Sequence, residues 1–393
     1  QTLLKMLYII RDAAAERLWR ELCRRQNVRY SERFVQRAHP RGHVWFQLRV
    51  HVIITIRREE DNIGGKKVKI TLAHGSGGLA TTELINDIFA EKFSNPVLDM
   101  MEDSAVVDGA AKIAVTTDSF VVNPVIFKGG DIGRLAICGT VNDLLMRCAV
   151  PKYITCGFIL EEGLDISVLK TVVASMADTA KEAGVVIVAG DTKVIEGSGG
   201  MYINTAGVGF VNEDICCKSA QCEPSDVIIL SGNIGDHHAA IMSDRMNIEN
   251  NIESDCAPLC EMVLNMCNEG VHIHALRDIT RGGLGTILNE LSNASDCMFE
   301  IDEEALPVTK SVASFCKILG LDPLYMGNEG KLAAIVPYNE AEKALSIIRR
   351  SRYGENAVIA GRVKEGKGVI MNTRLGGRRG IGVLVGEGLP RIC

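Results

Sequence analysis

The chain is 393 residues long, 47% of its residues are hydrophobic and 23% are charged, and its formal net charge is −6 at pH 7. This length allows two domains with substantial cores, and the composition is that of a globular protein. No apolar run approaches the roughly 18 residues of a membrane-spanning helix, so we expect no membrane partner. The thirteen cysteines include no C-x-x-C pair, which favours free thiols in a reducing, cytoplasmic compartment over a disulfide framework or a zinc ribbon.

Residues 1–65 differ from the rest of the chain, because they carry 13 Lys and Arg against 7 Asp and Glu and contain both tryptophans, Trp19 and Trp45. A basic arm of this kind could bind nucleic acid, but it has no zinc-finger, helix-turn-helix or RNA-binding signature. We therefore predict that residues 1–66 are a poorly ordered or non-native extension without a nucleic-acid partner or a catalytic role.

The segment after this extension predicts a strand at 68–72, a glycine-rich loop, and a helix whose apolar residues run from Leu84 to Phe93. The loop His74-Gly75-Ser76-Gly77-Gly78 would present backbone N–H groups without side-chain obstruction at the start of that helix, which suits phosphate. The loop lacks the Lys-Ser/Thr ending of a Walker P-loop, and a tight turn explains it equally well.

Acidic residues lie next to several apolar runs that predict strands at 113–117 and 185–189 and a helix at 132–141. These residues are Asp103, Asp118, Asp143 and Asp191. A single aspartate here would be an N-cap or turn residue, but several together indicate a site for Mg²⁺, which binds through one or two carboxylates plus substrate phosphates. Lys193, close behind Asp191, could then contact a phosphate as a point charge.

The second half begins near 224–226, after a strand at 201–211. A strand at 227–230 leads into a glycine turn that contains His237 and His238. Because strand, glycine and aspartate recur here as in the first half, we expect two related α/β layers. Either histidine could be a metal ligand or a base, and a role in the turn explains each equally well, since neither has a partner at metal-site spacing.

Two later motifs carry charged groups into glycine-rich turns. In the first, Arg277 and Arg281 lie on either side of Asp278, just before the start of a helix. The two guanidinium groups would suit a bound phosphate. The alternative is that both arginines are solvated and simply precede a capped helix. In the second, Glu329 lies between glycines before a strand at 332–336 and is a candidate general base or metal ligand.

The last residues of the sequence are Pro390-Arg391-Ile392-Cys393, after a glycine-rich stretch. A cysteine on a pliable arm buries little surface, so its sulfur rather than its packing would matter. We predict that residues 373–393 form a flexible arm that could carry a thiol to and from a site. A disordered tail with an incidental cysteine is the alternative.

In combination, these motifs resemble the HypE family of [NiFe]-hydrogenase maturation proteins. That family shares several motifs with aminoimidazole ribonucleotide synthetase, selenophosphate synthetase and thiamine-monophosphate kinase, and the terminal Pro-Arg-Ile-Cys distinguishes it from them. The resemblance extends from about Lys67 to Cys393 and rests on residues 74–78, 117–119, 137–143, 156–163, 190–193, 235–237, 277–283, 328–331 and 390–393.

The resemblance implies an α/β (α+β) fold of the aminoimidazole ribonucleotide synthetase type. Residues 67–212 would form an ATP-binding α/β domain whose sheet builds a barrel-like dimer core, and residues 213–372 a second α/β domain. The implied partners are HypF as carbamoyl donor, the HypC–HypD complex as cyanide acceptor, and a second copy of the chain. The implied location is the cytoplasm.

The resemblance also implies the reaction, an ATP-dependent dehydration of a carbamoyl group on Cys393 from thiocarboxamide to thiocyanate, which supplies the cyanide ligand of hydrogenase iron. Phosphorylation of the amide oxygen would create a leaving group, and removal of the N–H protons would then leave the nitrile. Cys393 would carry the substrate, Glu329 would act as the base and Lys193 would stabilise the transferring phosphoryl group. The implied nucleotide-binding residues are Gly75, Ser76, Gly77, Gly78, Asp118, Asn142, Asp143, Asp191, Thr192, Lys193, Arg277 and Asp278. The implied Mg²⁺ ligands are Asp103, Asp118, Asp143 and Asp191.

Two positions depart from the family pattern. Glu102 precedes Asp103 where relatives often have two aspartates, and His238 stands where a glycine is expected. Two other functions are compatible with parts of the sequence. One is a small-molecule kinase or synthetase of the same fold, which would have no use for Cys393. The other is a non-catalytic scaffold that acts through the basic N-terminal arm.

Overall fold

The computed structural model of the protein describes residues 68–76, 79–101, 104–211 and 217–383. The predicted N-terminal extension therefore lies outside the described residues. So do Gly77, Gly78, Asp103 and Cys393. Across the described part of the chain, the predicted α/β class is confirmed. No helix in that part is both long enough and apolar enough to cross a membrane.

The first half is built on a four-stranded sheet with the strand order β1-β6-β4-β5. Its elements are α1 (the continuous helical segments Leu79–Leu84, Ile85–Ala90 and Glu91–Phe93), β1 (Ile113–Phe120), the short pair β2 (Ile126–Phe127) and β3 (Gly130–Asp131), α2 (Ile132–Leu145), β4 (Ala149–Glu161), α3 (Ile166–Ala183), β5 (Val186–Ile195) and β6 (Met201–Val211). Strand β4 runs parallel to β5 and antiparallel to β6, which in turn pairs antiparallel with β1. Strands β1 and β5 are thus the two edges of this sheet.

Helix α2 covers one face of the first sheet and is buried almost all round, as expected for a helix between a sheet and a second helix. Asp131 caps its first turn, because the carboxylate accepts hydrogen bonds from the N–H groups of Gly133 at 2.7 Å and Arg134 at 3.0 Å. Gly133 also allows the close approach of α3, since a Cβ there would lie 2.4 Å from the carbonyl oxygen of Val172. The helix that carries Asn142 and Asp143 is therefore rigidly placed.

The opposite face of the first sheet is open and apolar in the single chain. Residues paired across neighbouring strands share a face of a sheet, and the register places side chains of β1, β4 and β5 together on this open face. Val115 is 64% exposed, Ile113 is 53% exposed and Ile159 is 42% exposed.

The second half is built on a seven-stranded sheet with the strand order β13-β12-β9-β11-β7-β10-β8. Its elements are β7 (Val227–Leu230), α4 (Asp236–Arg245), α5 (Cys260–Asn268), β8 (Ala275–Asp278), α6 (Gly283–Ser295), β9 (Met298–Asp302), α7 (Lys310–Leu319), β10 (Leu332–Val336), α8 (Ala341–Arg350), β11 (Val358–Lys364), β12 (Gly368–Asn372) and β13 (Arg378–Ile381). Every residue of β7 and β10 is buried. Alternate side chains of β7 pack into two different cores, with Ile229 in one and Ile228 in the other, so both faces of the sheet are covered.

The strands predicted at 201–211, 227–230 and 332–336 have the predicted bounds, and the strand predicted at 113–117 extends to Phe120. The strand predicted at 68–72 is wrong. Ile70 donates a hydrogen bond to the carbonyl of Leu164 at 2.7 Å, so this segment pairs with a loop, and a 3-10 turn follows at Leu72–Gly75.

Two further expectations differ from the structure in their local geometry. The turn predicted around His237 and His238 is instead the first turn of α4, which begins at Asp236. Asn142 and Asp143 belong to α2 itself and do not follow it, because the helix continues to Leu145.

The prediction of a flexible arm from residue 373 onward fails for residues 373–381. Strand β13 pairs antiparallel with β12. Two arginines of β13 also form ion pairs, Arg378 with Glu300 at 2.8 Å and Arg379 with Asp322 at 2.6 Å. Glycine content indicated flexibility here, but the long-range pairing with β12 and the ion pairs order the segment. The domain boundaries at 212 and 372 stay predictions.

Candidate active site

A cluster of carboxyl groups forms where the first sheet meets the second. Asp118 comes from the end of β1, Asp143 from the last turn of α2, Asp278 from the end of β8, and Glu329 from the loop before β10. The elements that carry them are distant in sequence but contiguous in space. Asn142, next to Asp143, donates a hydrogen bond to the Glu329 carbonyl, and the Asn328 N–H donates to the carbonyl of Ile279, next to Asp278. The Thr116 hydroxyl orients Asp143 by donating a hydrogen bond to its carboxylate at 2.7 Å.

The cluster holds more negative charge than its surroundings neutralise. Burial, together with the charge of Asp143, raises the pKa of Asp118 to about 6, although the Arg281 guanidinium opposes the shift. Burial and Asp143 likewise raise the pKa of Asp278 to about 6. Burial raises the pKa of Glu329 well above its ordinary value, and the charge of Asp278 adds to this. Protons or a cation would relieve this repulsion.

The backbone of the Glu329 loop is held by Asp255. The Asp255 carboxylate accepts hydrogen bonds from the Glu329 N–H at 3.2 Å and from the Asn328 amide at 2.9 Å, and the Lys331 ammonium lies 3.6 Å from it. Gly330 allows the loop to pass close to this partner, since a Cβ at Gly330 would lie 1.9 Å from the carbonyl oxygen of Asp255. Glu329 itself is 4% exposed, so its carboxyl group is shielded from water.

Asn142 joins the two sheets at this point. Its side-chain NH₂ donates to the carbonyls of Ala257 at 3.1 Å and Glu329 at 3.3 Å, and its side-chain oxygen accepts from the Leu259 N–H at 2.9 Å. We expected Asn142 among the nucleotide-binding residues. The structure commits its buried amide to these internal bonds, because such a group must be satisfied within the protein.

A second group of the predicted site residues lies at the β5 edge of the first sheet, away from Asp118 on β1. Lys193 and Asp191 form an exposed ion pair at 2.8 Å on β5, with Thr192 between them. The loop before α1 packs against the same strand, since a Cβ at Gly75 would lie 2.6 Å from the backbone nitrogen of Val194. The Ser76 hydroxyl donates to the carbonyl of Ala73 at 3.0 Å.

Two of the four predicted magnesium ligands, Asp118 and Asp191, therefore do not lie together within one chain. In the register of the first sheet, Asp118 of β1 pairs with Thr205 of β6, Thr205 pairs with Cys156 of β4, and Cys156 pairs with Gly190 of β5. Asp191 follows Gly190, so its side chain lies on the opposite face of the sheet from that of Asp118. Three strand spacings of ~4.8 Å separate the two edges by roughly 14 Å. Across residues 68–383, apart from the short stretches that the structure leaves undescribed, no three Asp, Glu, His or Cys side chains are arranged to hold a metal ion.

The cluster nevertheless suits Mg²⁺ bound together with phosphates. Such sites use only one or two carboxylates, and the remaining ligands are water and phosphate oxygens. Asp118 and Asp278 both have oxygen donors and uncompensated negative charge, as shown by their raised pKa values. The nearby cations are Arg281, which acts on Asp118, and Arg277, which acts on Asp278 and forms an ion pair with Glu290.

Sequence reasoning missed one residue of this site and gave another a different role. Asp255 was missed because it lies in a loop with no motif around it, although its contacts position Glu329. Asp278 was predicted to contact the nucleotide, and its charge interacts with that of Asp143 in the carboxyl cluster. Its position at the end of a strand, like that of Asp118, was the signal that could have indicated this role.

We predict that Asp278→Asn stabilises the metal-free protein at neutral pH. The pKa of Asp278 is raised from 3.8 to about 6. The contribution of its protonated form to the stability of the folded protein is therefore fully present below about pH 4 and is lost as the pH rises through 6. At pH 7 the neutral amide should therefore raise the free energy of unfolding by about 1–3 kcal/mol. Denaturant unfolding at pH 4 and pH 7 measures this, with the exposed Asp108→Asn as the matched control. An equal effect at both pH values would contradict the prediction.

Comparisons with known proteins agree with this geometry. Residues 101–211 match the model of the N-terminal domain of AIR synthase related proteins, and residues 223–373 match the model of the C-terminal domain. Thiamine-monophosphate kinase from Stenotrophomonas maltophilia has a similar fold, with a TM-score of 0.58 at 17% identity over 78% of this chain and 99% of that one.

More similar proteins are known. The chain is 44% identical to carbamoyl dehydratase HypE from Rhodobacter capsulatus, over 83% of this chain and 98% of that protein. It is 43% identical to the Escherichia coli carbamoyl dehydratase HypE, over 82% of this chain and 99% of that protein. A crystal structure of HypE in complex with ATP has a TM-score of 0.79 and 46% identity, and it covers 82% of this chain and 99% of that one. A HypE–HypF complex has a TM-score of 0.68 and 45% identity, and it covers 77% of this chain and 99% of that one.

Proposed function

Since this chain belongs to the HypE family of carbamoyl dehydratases, we propose that it dehydrates a carbamoyl group on its own Cys393 at the expense of ATP. The product is a thiocyanate, which supplies the cyanide ligand during hydrogenase maturation. The observation that carries the proposal is the buried carboxyl group of Glu329 within an acidic cluster at the junction of the two sheets. Cys393 lies outside the described residues, and its role as substrate carrier rests on the family.

The dehydration needs a base that acts in a site shielded from water, and Glu329 meets both conditions. Its raised pKa makes the carboxylate a stronger base than an exposed glutamate. Because water hardly reaches Glu329, a reactive acyl-like intermediate beside it would be protected from hydrolysis. In this proposal Glu329 accepts an N–H proton of the carbamoyl group while the C–O bond breaks, and Asp255 keeps the Glu329 backbone in place.

When bound, ATP supplies the phosphoryl group that makes the amide oxygen a leaving group, and Mg²⁺ neutralises the charge of the phosphates. Asp118 and Asp278 would hold the metal ion together with phosphate oxygens, with Asp143 beside them, and the charge imbalance of the cluster supports this assignment. Lys193 would contact the transferring phosphoryl group after releasing Asp191, and Gly75 and Ser76 would approach the phosphates through their backbone.

We further propose that two copies of the chain form the working enzyme. The open face of the first sheet exposes several apolar side chains, and a second copy could cover them. The two groups of predicted site residues lie on opposite edges of that sheet. A partner would bring the Lys193 edge of one copy beside the Asp118 edge of the other.

Val115→Lys should convert the dimer to a monomer, because it places a charge within the covered face at its most exposed apolar side chain on β1. Sedimentation equilibrium of the wild type and the variant measures this. Ile318→Lys is the matched control, since Ile318 is 81% exposed on α7 and distant from the first sheet. A wild-type protein that sediments as a monomer would remove the basis of the proposed dimer.

The partners are proposed from the same family membership. A crystal structure of a relative contains HypE with HypF, so HypF is the carbamoyl donor for Cys393, and the HypC–HypD complex is the proposed cyanide acceptor. A cytoplasmic location is supported by the cysteines, because all ten in the described part of the chain are free thiols.

The decisive experiment is intact-mass analysis after incubation with HypF, carbamoyl phosphate and ATP. We expect one carbamoyl adduct on Cys393 that loses one molecule of water only when ATP is present, and no adduct on the Cys393→Ala control. An unmodified Cys393 with continued consumption of ATP on a small molecule would instead indicate a kinase or synthetase of the same fold.

A further inference from the structure

The end of β13 is held in place by side chains from two other segments of the second half. The side-chain NH₂ of Asn289, on α6, donates hydrogen bonds to the carbonyl of Ile381 at 3.0 Å and to the carbonyl of Gly285 at 2.8 Å. The Tyr325 hydroxyl donates to the carbonyl of Gly382 at 2.9 Å. The side chain of Ile381 is 3% exposed and belongs to the core of the second half. We call these contacts of Asn289, Tyr325 and Ile381 the β13 anchor.

Two glycines of α6 leave room for the anchor. A Cβ at Gly285 would lie 2.8 Å from Cε1 of the Tyr325 ring and 3.3 Å from Cγ2 of Ile381. A Cβ at Gly283 would lie 2.6 Å from the carbonyl carbon of Tyr325. The first turn of α6 therefore packs directly on the anchor, and a larger residue at either position would push the two apart.

An ion pair holds β13 to the same segment of the chain as Tyr325. The Arg379 guanidinium lies 2.6 Å from the carboxylate of Asp322. The same carboxylate caps the 3-10 turn Pro323–Tyr325, because it accepts a hydrogen bond from the Leu324 N–H at 3.0 Å. Both ends of this short turn are thus attached to the chain around β13.

The turn that holds the anchor lies just before the proposed base. Tyr325 precedes Glu329 by four residues, so their Cα atoms lie within roughly 14 Å of each other. Between them, Met326 and Asn328 are completely buried. The Asn328 amide also donates to the Asp255 carboxylate at 2.9 Å. One short, buried segment therefore fixes the position of the anchor relative to the loop of Glu329.

The anchor also sets how much chain separates the folded protein from Cys393. Eleven residues, 383–393, follow Gly382, and they can span at most about 40 Å. This reach exceeds the distance from the anchor to Glu329, even after the length of the Tyr325 side chain is added. If the chain left the fold at the end of β12 instead, the twenty-one residues 373–393 would form the tether.

We propose that Asn289 and Tyr325 are positioning residues for the dehydration, because they fix the root of the tether that carries Cys393 close to the loop of Glu329. This inference rests on the proposed function. The effective concentration of a tethered group falls with roughly the −3/2 power of the tether length. A root at Gly382 should therefore raise the effective concentration of the carbamoylated thiol at Glu329 by about 2- to 3-fold over a root at Asn372.

The test follows the loss of water from carbamoylated Cys393 by intact mass, in the full-length protein at saturating ATP. The release variant Asn289→Ala/Tyr325→Phe/Arg379→Gln should lose water about 2- to 3-fold more slowly than the wild type. Insertion of ten Gly and Ser residues after Val383 should slow the reaction equally, because it lengthens the tether to the same extent. Tyr338→Phe is the matched control, since Tyr338 is 61% exposed and lies outside the anchor, and it should keep the wild-type rate.

The affinity for ATP, measured by titration calorimetry, separates positioning from a structural role. All variants should bind ATP as the wild type does. A release variant that lost affinity for ATP along with its rate would overturn the proposal, because damage to the site would then explain the slower reaction.

A wild-type rate of water loss in either the release variant or the insertion variant would also overturn the proposal. The insertion variant keeps every residue of the anchor, so it decides the matter even where the release variant fails to fold. A wild-type protein that carries the carbamoyl group and loses no water would instead remove the proposed function, and this inference with it.

Discussion

Glu329→Gln should reduce ATP-dependent dehydration by about 10²–10⁴-fold, which is the usual contribution of a general base. Glutamine keeps the shape of the side chain and removes only the basic oxygen. Because the charge of Glu329 is disfavoured by burial and by Asp278, the variant should be at least as stable as the wild type. Loss of water from the carbamoylated Cys393, followed by intact mass, measures the first effect, and the Tm measures the second.

The pH dependence tests the same assignment in the wild type. A base must be deprotonated, and the pKa of Glu329 is raised. The rate should therefore increase with pH up to a value well above the ordinary titration range of a glutamate. Glu355→Gln, at an exposed site, should keep the wild-type rate and pH profile. If Glu329→Gln instead lowered the Tm and left the rate unchanged, the residue would be structural.

Gly330→Ala should have the largest effect on stability among the glycines near the site. An added Cβ would lie 1.9 Å from the carbonyl oxygen of Asp255 and 2.8 Å from the backbone nitrogen of Ala257, and neither atom belongs to a flexible side chain. Relief requires that the loop of Glu329 moves away from Asp255. We expect a loss of at least about 2 kcal/mol in the free energy of unfolding, with a matching loss of dehydration.

Gly380→Ala is the matched control, because nothing lies within 4 Å of a Cβ at that position. Thermal unfolding of both variants makes the comparison. Hydrogen exchange at the Glu329 amide, which donates to Asp255 at 3.2 Å, should become faster in Gly330→Ala alone. Equal Tm values for the two variants would mean that the loop adapts without cost.

The sequence was most informative where function depends on local pattern. Alternating and apolar runs predicted the strands at 201–211, 227–230 and 332–336. The aspartates at strand and helix ends pointed to Asp118 and Asp143. These signals are local because a strand or a helix end can be recognised from a few neighbouring residues.

The sequence could not indicate which of these residues meet. Asp191 follows the same pattern as Asp118, but strand order places them on opposite edges of the first sheet. Strand order depends on long-range pairing, which no local pattern encodes. The same reason explains residues 373–381, where pairing with β12 overrides the flexibility expected from glycine.

We expect the side chain of Asn142 to make two events at the site thermodynamically dependent on each other. It binds the backbone carbonyl of Glu329, and the next residue on the same helix is Asp143 of the carboxyl cluster. Any ligand that draws Asp143 toward itself also acts, through one rigid turn of helix, on the loop that carries the base. Thermodynamic linkage is reciprocal. If bound nucleotide strengthens binding of the carbamoylated thiol beside Glu329, the bound thiol should strengthen nucleotide binding by the same factor. An enzyme with this arrangement would retain ATP best when its substrate is already in place.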